Sequence, residues 1–479
     1  MGEKYIVGLD GGTQSSKVTI FDTKGNAICK AAEKLKPLSM PQRGVAEHPD
    51  DDLWDSLCIA IRKAMELFPY DKADIIGVGL CSIRCCRALL DENGELINPV
   101  ISWMDDRIYS NYEDSDPRVK RLATTTGYLT VRLTGEYNDT TANYRGRWPM
   151  DYANWKWYDD KESFESFGLR RDLLFNLVMP GDVLGSVTEE ASKQTGLPAG
   201  IPVVATANDK AVEALGAGLD TDEKVGLISL GTFITSMVPG KEFIPPHASF
   251  WTNHACMPRR FLHESQAIAR GMSTVSWFRD LLGDDLKAKA EQEGLLPEQY
   301  LERGAKDVPP GSLGLLTVPR WLTFDKPPYG RGIIMGFEGR HNKYHMYRSI
   351  LEGIAFTISI NMNNMLRDLN RHIDRIIISG GGSNSDLLMQ IFADVFGIPV
   401  VRNRVNESVS MGSAISVAVG LGIYPDYSTA IEQMVQRGDE FLPDPETHVF
   451  YRELIEDVFK QIPIVNEGLQ RKTYSILYG

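Results

Sequence analysis

The residues best equipped for chemistry stand in one short run, Asp10-Gly11-Gly12-Thr13-Gln14-Ser15-Ser16-Lys17. Two glycines let a backbone turn tightly, so that its N–H groups approach phosphate oxygens closely. Thr13 and Ser15 add hydroxyl donors and Lys17 adds positive charge. Asp10, just ahead of the turn, is a carboxylate suited to holding Mg2+ through water. An ordinary glycine-rich hairpin has the same signature. The run is not a P-loop, since no Gly-x-x-x-x-Gly-Lys followed by Ser or Thr occurs in the chain.

Four further segments qualify. Gly231-Thr232 is a second candidate phosphate turn, and Gly380-Gly381-Gly382-Ser383 a third, with room for an adenosine and a helix N-terminus behind it. Asp209 follows an apolar run and precedes a helical one, so it stands where α/β proteins bind ligands, or else it caps the helix. Trp103, Asp105 and Arg107 form Trp-x-Asp-x-Arg, an aromatic face with charged groups of the kind that holds sugars, or a surface loop with an ion pair.

The elements that must position these residues follow from periodicity. Tyr5 to Leu9 and Val18 to Phe21 read as a hairpin around the first turn. Leu53 to Phe68 repeats apolar residues at helical spacing, with Leu53, Leu57, Ile61, Ala64 and Met65 on one face. Asp74 to Leu80 and Ile201 to Thr206 are buried-strand runs, the second leading into a helix at Ala211 to Leu215. The device then restarts: Val225 to Leu230, Gly231-Thr232, Ile234 to Val238, which suggests a duplication. Ser349 to Leu366 reads as helix, Arg375 to Ser379 as strand, Ser385 to Phe396 as helix, Pro399 to Arg402 as strand and Met411 to Gly420 as a small-residue helix. Alternating strands and helices imply an α/β fold with layered sheets. The boundary between halves is expected near Gly218 to Glu223.

Composition limits the partners. Lys+Arg is 51 against 64 Asp+Glu, a net charge of −13, which disfavours nucleic acid and anionic membrane surfaces. Cys29, Cys58, Cys81, Cys85, Cys86 and Cys256 are too sparse for a disulfide scaffold and fit a cytoplasmic, reduced protein. No secretory segment is expected ahead of Tyr5, and no apolar stretch is long enough to span a bilayer.

Taken in order, Gly8 to Thr13, Pro99 to Arg107, Leu133-Thr134-Gly135-Glu136 with Asp139, and Asn208 to Gly218 resemble the FGGY carbohydrate kinases, of the actin-like ATPase superfold. Leu230-Gly231-Thr232, Leu351 to Phe356, Gly380 to Ser383 and Glu407 to Ala414 extend the resemblance over nearly the whole chain. It implies two actin-like (ribonuclease H-like) domains around an interdomain cleft. Residues 1–220 would bind sugar and carry the base, 221–440 would bind nucleotide, and 441–479 would form a C-terminal helical extension. It implies ATP-dependent phosphorylation of a hydroxyl on a small sugar, polyol or sugar acid, with ATP and Mg2+ as cofactors. Asp209 matches the general base and, with Asp10, the metal-organising carboxylates. Gly11, Gly12, Thr13, Ser15, Lys17, Gly231 and Thr232 fall at the phosphates, Gly380, Gly381 and Ser385 at the adenosine. Trp103, Asp105 and Arg84 fall in the sugar region. A homodimer is the family default.

One departure stands out. Xylulokinase-like members carry Gln-Met-His-Gly where this chain has Ile83-Arg84-Cys85-Cys86-Arg87. Glycerol kinases carry Arg-Glu there, and Cys85 replaces the Glu. The chain resembles a bacterial branch of xylulokinase-like sugar kinases. If Arg84 or Arg87 reaches the cleft, the substrate carries a carboxylate; the alternative is that both pair with Asp105 or Asp106. Two other functions share the fold: an actin-like ATPase switch without sugar, and a non-catalytic sugar sensor.

Overall fold

Continuously buried apolar runs pair into two large sheets in the computed structural model, which describes residues 2–113, 115–321 and 329–478. The first sheet holds Tyr5–Gly11 (β1), Ser15–Asp22 (β2), Ala27–Lys34 (β3), Ile75–Ser82 (β4), Val183–Ser186 (β5) and Pro202–Asn208 (β6), in the order β5-β6-β4-β1-β2-β3. The second holds Val225–Leu230 (β7), Ile234–Gly240 (β8), Phe250–His254 (β9), Phe261–Ser265 (β10), Arg375–Ser379 (β11), Val400–Asn403 (β12) and Arg437–Phe441 (β13). Its order, β9-β10-β8-β7-β11-β12-β13, repeats the first sheet with β9 added. The senses repeat too: β1 runs antiparallel to β2 and parallel to β4, as β7 does to β8 and β11.

Helices separate the sheets into layers. Asp52–Leu67 (α1) and Thr125–Thr134 (α2) cover one face of the first sheet, and the α1 residues Leu53, Leu57, Ile61, Ala64 and Met65 are all buried. Asp209–Gly216 (α3) follows β6. Lys343–Asp368 (α4) and Asp386–Phe396 (α5) cover the far face of the second sheet. Between the sheets lie α3 and Ser408–Gly420 (α6), which follows β12. Their core takes Ile6 and Val204 from one sheet and Leu227 and Ile377 from the other, while the strand neighbours Val7 and Ile228 point into the outer cores. That alternation is the two-residue period of a strand buried on both faces.

The two middle helices cross at glycines. A Cβ on Gly216 would collide with the carbonyl oxygen of Ser408, and one on Gly412 with that of Val212. Any side chain there would force the helices apart, and tightly packed interiors do not absorb such a shift. Beyond Phe441 the chain is helical; Tyr451, Ile455 and Phe459 are buried in the second core, as is Ile462 at the start of the otherwise largely exposed Gln461–Tyr478 helix (α7). No described helix is long and apolar enough to cross a membrane.

Candidate active site

Three glycine turns gather at the strand ends that flank α3. The first joins β1 to β2, where the Gly12 N–H bonds the Ser15 carbonyl at 3.1 Å. The second joins β7 to β8, and the third follows β11, the parallel neighbour of β7. Gly231 and Gly380 therefore emerge side by side. Gly380 has φ +85°, a left-handed conformation that suits glycine. The strand-to-helix turn differs from the simple one expected: one turn of 3-10 helix, Gly381–Asn384, intervenes before α5. Ser385 then caps α5, its side chain accepting from the Leu388 N–H at 3.1 Å. Gly381 and Thr232 are exposed, and nothing lies within 4 Å of a Cβ built on Gly381. Thr13 and Ser15 are half-buried at the first turn.

Asp209 opens α3, yet it does not cap it. Asn208 does: its Oδ1 accepts from the Ala211 N–H at 3.1 Å, and its Nδ2 donates to the Ala142 carbonyl at 2.9 Å. This division of labour leaves Asp209 Oδ1 buried with no hydrogen-bond partner. A buried acceptor without a partner costs about 1–3 kcal/mol, so it persists where a ligand supplies the missing bond. Burial raises the Asp209 pKa most, Arg84 and Lys210 pull it down, and Glu213 and Glu264 push it up, leaving it above the usual carboxylate value.

Asp10, at the end of β1, is 7% exposed and lies 3.4 Å from Lys17 Nζ. Burial raises its pKa, Lys17 lowers it, and Asp209 raises it further. The two carboxylates, at the ends of β1 and β6 of the first sheet, thus lie close enough to interact. They offer only oxygen donors, the set a hard cation such as Mg2+ prefers. Among the described residues no group of three or more His, Cys, Asp or Glu could hold a metal alone. Nucleotide oxygens would have to complete the shell. The residues fit Mg2+ on those terms.

A hydrogen-bonded quartet ties the Asp209 helix to the turns. Glu213, one turn beyond Asp209, accepts from Ser229 Oγ at 2.8 Å, from Ser379 Oγ at 2.5 Å and from Lys210 Nζ at 2.9 Å. Burial works to raise the Glu213 pKa, but Lys210 and the hydroxyls hold it below the usual value. Ser229 and Ser379 are paired residues of β7 and β11, just ahead of Gly231 and Gly380. The helix bearing Asp209 is therefore bonded directly to the strands bearing two glycine turns. Sequence reading missed this; the buried Lys210 and Glu213 at three-residue spacing were its one visible trace.

The expected sugar region divides. Asp105 is fully buried, and its Oδ1 takes the Arg107 N–H and Nε while its Oδ2 takes the Ala46 N–H and Arg107 Nη2. With every acceptor position occupied it holds the loop and has none left for a sugar. Trp103 rests half-buried against the first core. Neither arginine pairs with Asp105 or Asp106, as one reading of the sequence had it. Arg87 is buried over the rings of Trp148 and Tyr112, at 5.4 and 5.8 Å, and burial lowers its pKa to about 10. Arg84 forms two bonds, 2.7 and 2.8 Å, to Glu264 of β10 in the second sheet. Asn253 and Trp251 of β9 also donate to Glu264, at 2.5 and 2.8 Å, and Arg145 stacks on Trp251 at 5.0 Å.

Two family models match the chain: the N-terminal domain of the FGGY family of carbohydrate kinases over residues 5–114 and 108–216, and its C-terminal domain over 226–421. The chain belongs to the FGGY family of carbohydrate kinases. It is an ATP-dependent sugar phosphotransferase with the two-domain actin-like ATPase fold. Over 479 residues it is 46% identical to the uncharacterised sugar kinase YgcE of Escherichia coli K12, covering 100% of this chain and 97% of that protein. It is 28% identical to the autoinducer-2 kinase of Klebsiella pneumoniae, covering 97% of this chain and 96% of the other. A gluconate kinase structure from Lactobacillus acidophilus shares the fold, with a TM-score of 0.82 at 21% identity over 98% of this chain and 99% of that one.

Proposed function

We propose that this FGGY kinase transfers the terminal phosphoryl group of ATP to a hydroxyl of a small sugar, polyol or sugar acid held beside Asp209. Residues 1–220 and 221–440 act as the two closing halves, with 441–479 as a helical appendage. The observation that carries the reading is the buried, unpartnered Oδ1 of Asp209, close to Asp10 at the first glycine turn, which Gln14 and Thr232 join to a turn of the second sheet. That oxygen accepts the hydroxyl proton as the sugar oxygen attacks, in the role of general base. The N–H groups and hydroxyls at Gly11, Gly12, Thr13, Ser15, Gly231 and Thr232, with Lys17, hold the phosphates, and Gly380, Gly381 and Ser385 flank the adenosine. Asp10 and Asp209 would hold Mg2+, which when bound offsets the charge of the phosphate oxygens. Closure of the halves excludes water that would otherwise take the phosphoryl group.

The family spans several substrates, so membership leaves the acceptor open. A coupled ADP-release assay across ketoses, aldoses, polyols and aldonates tests the reading. Asp209→Asn should bind ATP while turnover falls by roughly two to four orders of magnitude. Near-normal turnover in that variant would remove Asp209 from the mechanism.

A further inference from the structure

We propose that the substrate carries a carboxylate, and that Arg145 binds it. The inference rests on the kinase reading for the position of the reacting hydroxyl, and on charge and hydrogen bonding for the rest.

Arg84 is engaged with Glu264 through both terminal nitrogens. Glu264 is heavily engaged: Oε1 takes one Arg84 nitrogen, and Oε2 takes the other together with Trp251 Nε1 and Asn253 Nδ2. Arg145 is not among its hydrogen-bond partners. Arg145 gives one nitrogen to Asn253 Oδ1 and lays its face on Trp251, and among the described residues no carboxylate pairs with it. A guanidinium has five N–H donors, so most of them remain unused. Arg145 is half-buried, so its unused donors are within reach of a ligand, and burial and Arg84 both lower its pKa.

The fold brings this group toward Asp209. Asn208 pairs with Ser82 between β6 and β4, so Arg84, two residues beyond Ser82, emerges near Asp209, and Asn253 and Glu264 connect Arg145 to Arg84. Together these side chains hold two guanidinium groups and one carboxylate. The surplus is one positive charge. A planar carboxylate matches both that charge and the fork of a guanidinium. A phosphate monoester carries nearly two negative charges at pH 7 and overfills it.

The test uses the full chain, ATP and a panel of short-chain aldonates, the alditols matching them carbon for carbon, and sugar phosphates. ADP release is followed together with calorimetric binding in the absence of nucleotide. An aldonate should be the best acceptor, and Arg145→Gln should weaken aldonate binding and kcat/KM by about tenfold to hundredfold while alditols change little. Arg145→Lys, which keeps the charge, should retain part of the binding and controls for misfolding. Alditols or ketoses outperforming every aldonate, preferred binding of a sugar phosphate, or equal losses for acids and alditols in Arg145→Gln would each overturn the proposal. Aldonate binding that depends on Arg145 without any ADP release would leave the anion site standing and sink the kinase reading instead.

Discussion

Gln14 Nε2 donates to Thr232 Oγ1 at 3.3 Å, although the two residues lie 218 positions apart on different sheets. The glycine turns they belong to therefore touch across the junction of the halves. Asp10 ends β1 beside the first of these turns, and Asp209 opens α3, which leads into the second sheet. In the proposed reading, a phosphoryl group there would meet donors from both sheets, with Asp209 as base. Phosphoryl transfer asks for little beyond such positioning and charge neutralisation.

The Thr232 hydroxyl should matter for nucleotide and not for sugar. Thr232→Val removes one donor and should raise the KM for ATP by roughly tenfold, the value of one hydrogen bond to a charged group. The KM for the sugar acceptor should stay within about twofold of wild type. Steady-state kinetics with each substrate varied in turn will show the split; an equal rise in both would point to a collapsed junction.

The pH profile should report the environment of Asp209. In its proposed role Asp209 acts deprotonated, and its folded pKa is raised mainly by burial. The acidic limb of kcat/KM should therefore lie above the range of an ordinary carboxylate. Lys210 lowers that pKa, so Lys210→Met should move the limb to still higher pH. A limb that stays put in Lys210→Met would mean another group controls it.

The Arg84–Glu264 pair lends itself to a double-mutant cycle. Glu264→Gln leaves a buried guanidinium unpaired and should cost about 3–5 kcal/mol in urea unfolding, whereas a combined Arg84→Met, Glu264→Met change should recover much of it. Although burial works to raise the Glu264 pKa, Arg84 holds it down at about 2. Its contribution is complete above the unfolded value of about 4.3 and is lost as pH falls through the folded value. The gap between wild type and the double variant should accordingly narrow in acid.

The quartet beneath the turns should separate stability from catalysis. Ser379→Ala removes one bond to Glu213 and should cost about 1 kcal/mol. Glu213→Ala strands Lys210 and should cost about 3–5 kcal/mol. Chemical denaturation gives both values, and similar small losses would show that Lys210 finds another partner.

Much of this was legible in the chain. The strands, the repeated glycine turns and Asp209 rest on local signals: apolar runs, turn chemistry, a carboxylate at a strand end. What was not legible depends on partners far away in sequence. Whether Asp105 is open or saturated is decided by the Ala46 N–H, 59 positions earlier. Whether Arg84 is free is decided by Glu264, 180 positions later, and Arg145 showed no local pattern at all. Periodicity assigns a face to a residue; it does not say which acceptor fills it.

The bare crossing of Gly216 over Gly412 also sets what the chain can tolerate. A Cβ on either residue would meet a backbone carbonyl oxygen, which cannot step aside as a side-chain tip does. The spacing between the two sheets is thus fixed by a pair of hydrogen atoms, at the end of α3 opposite Asp209.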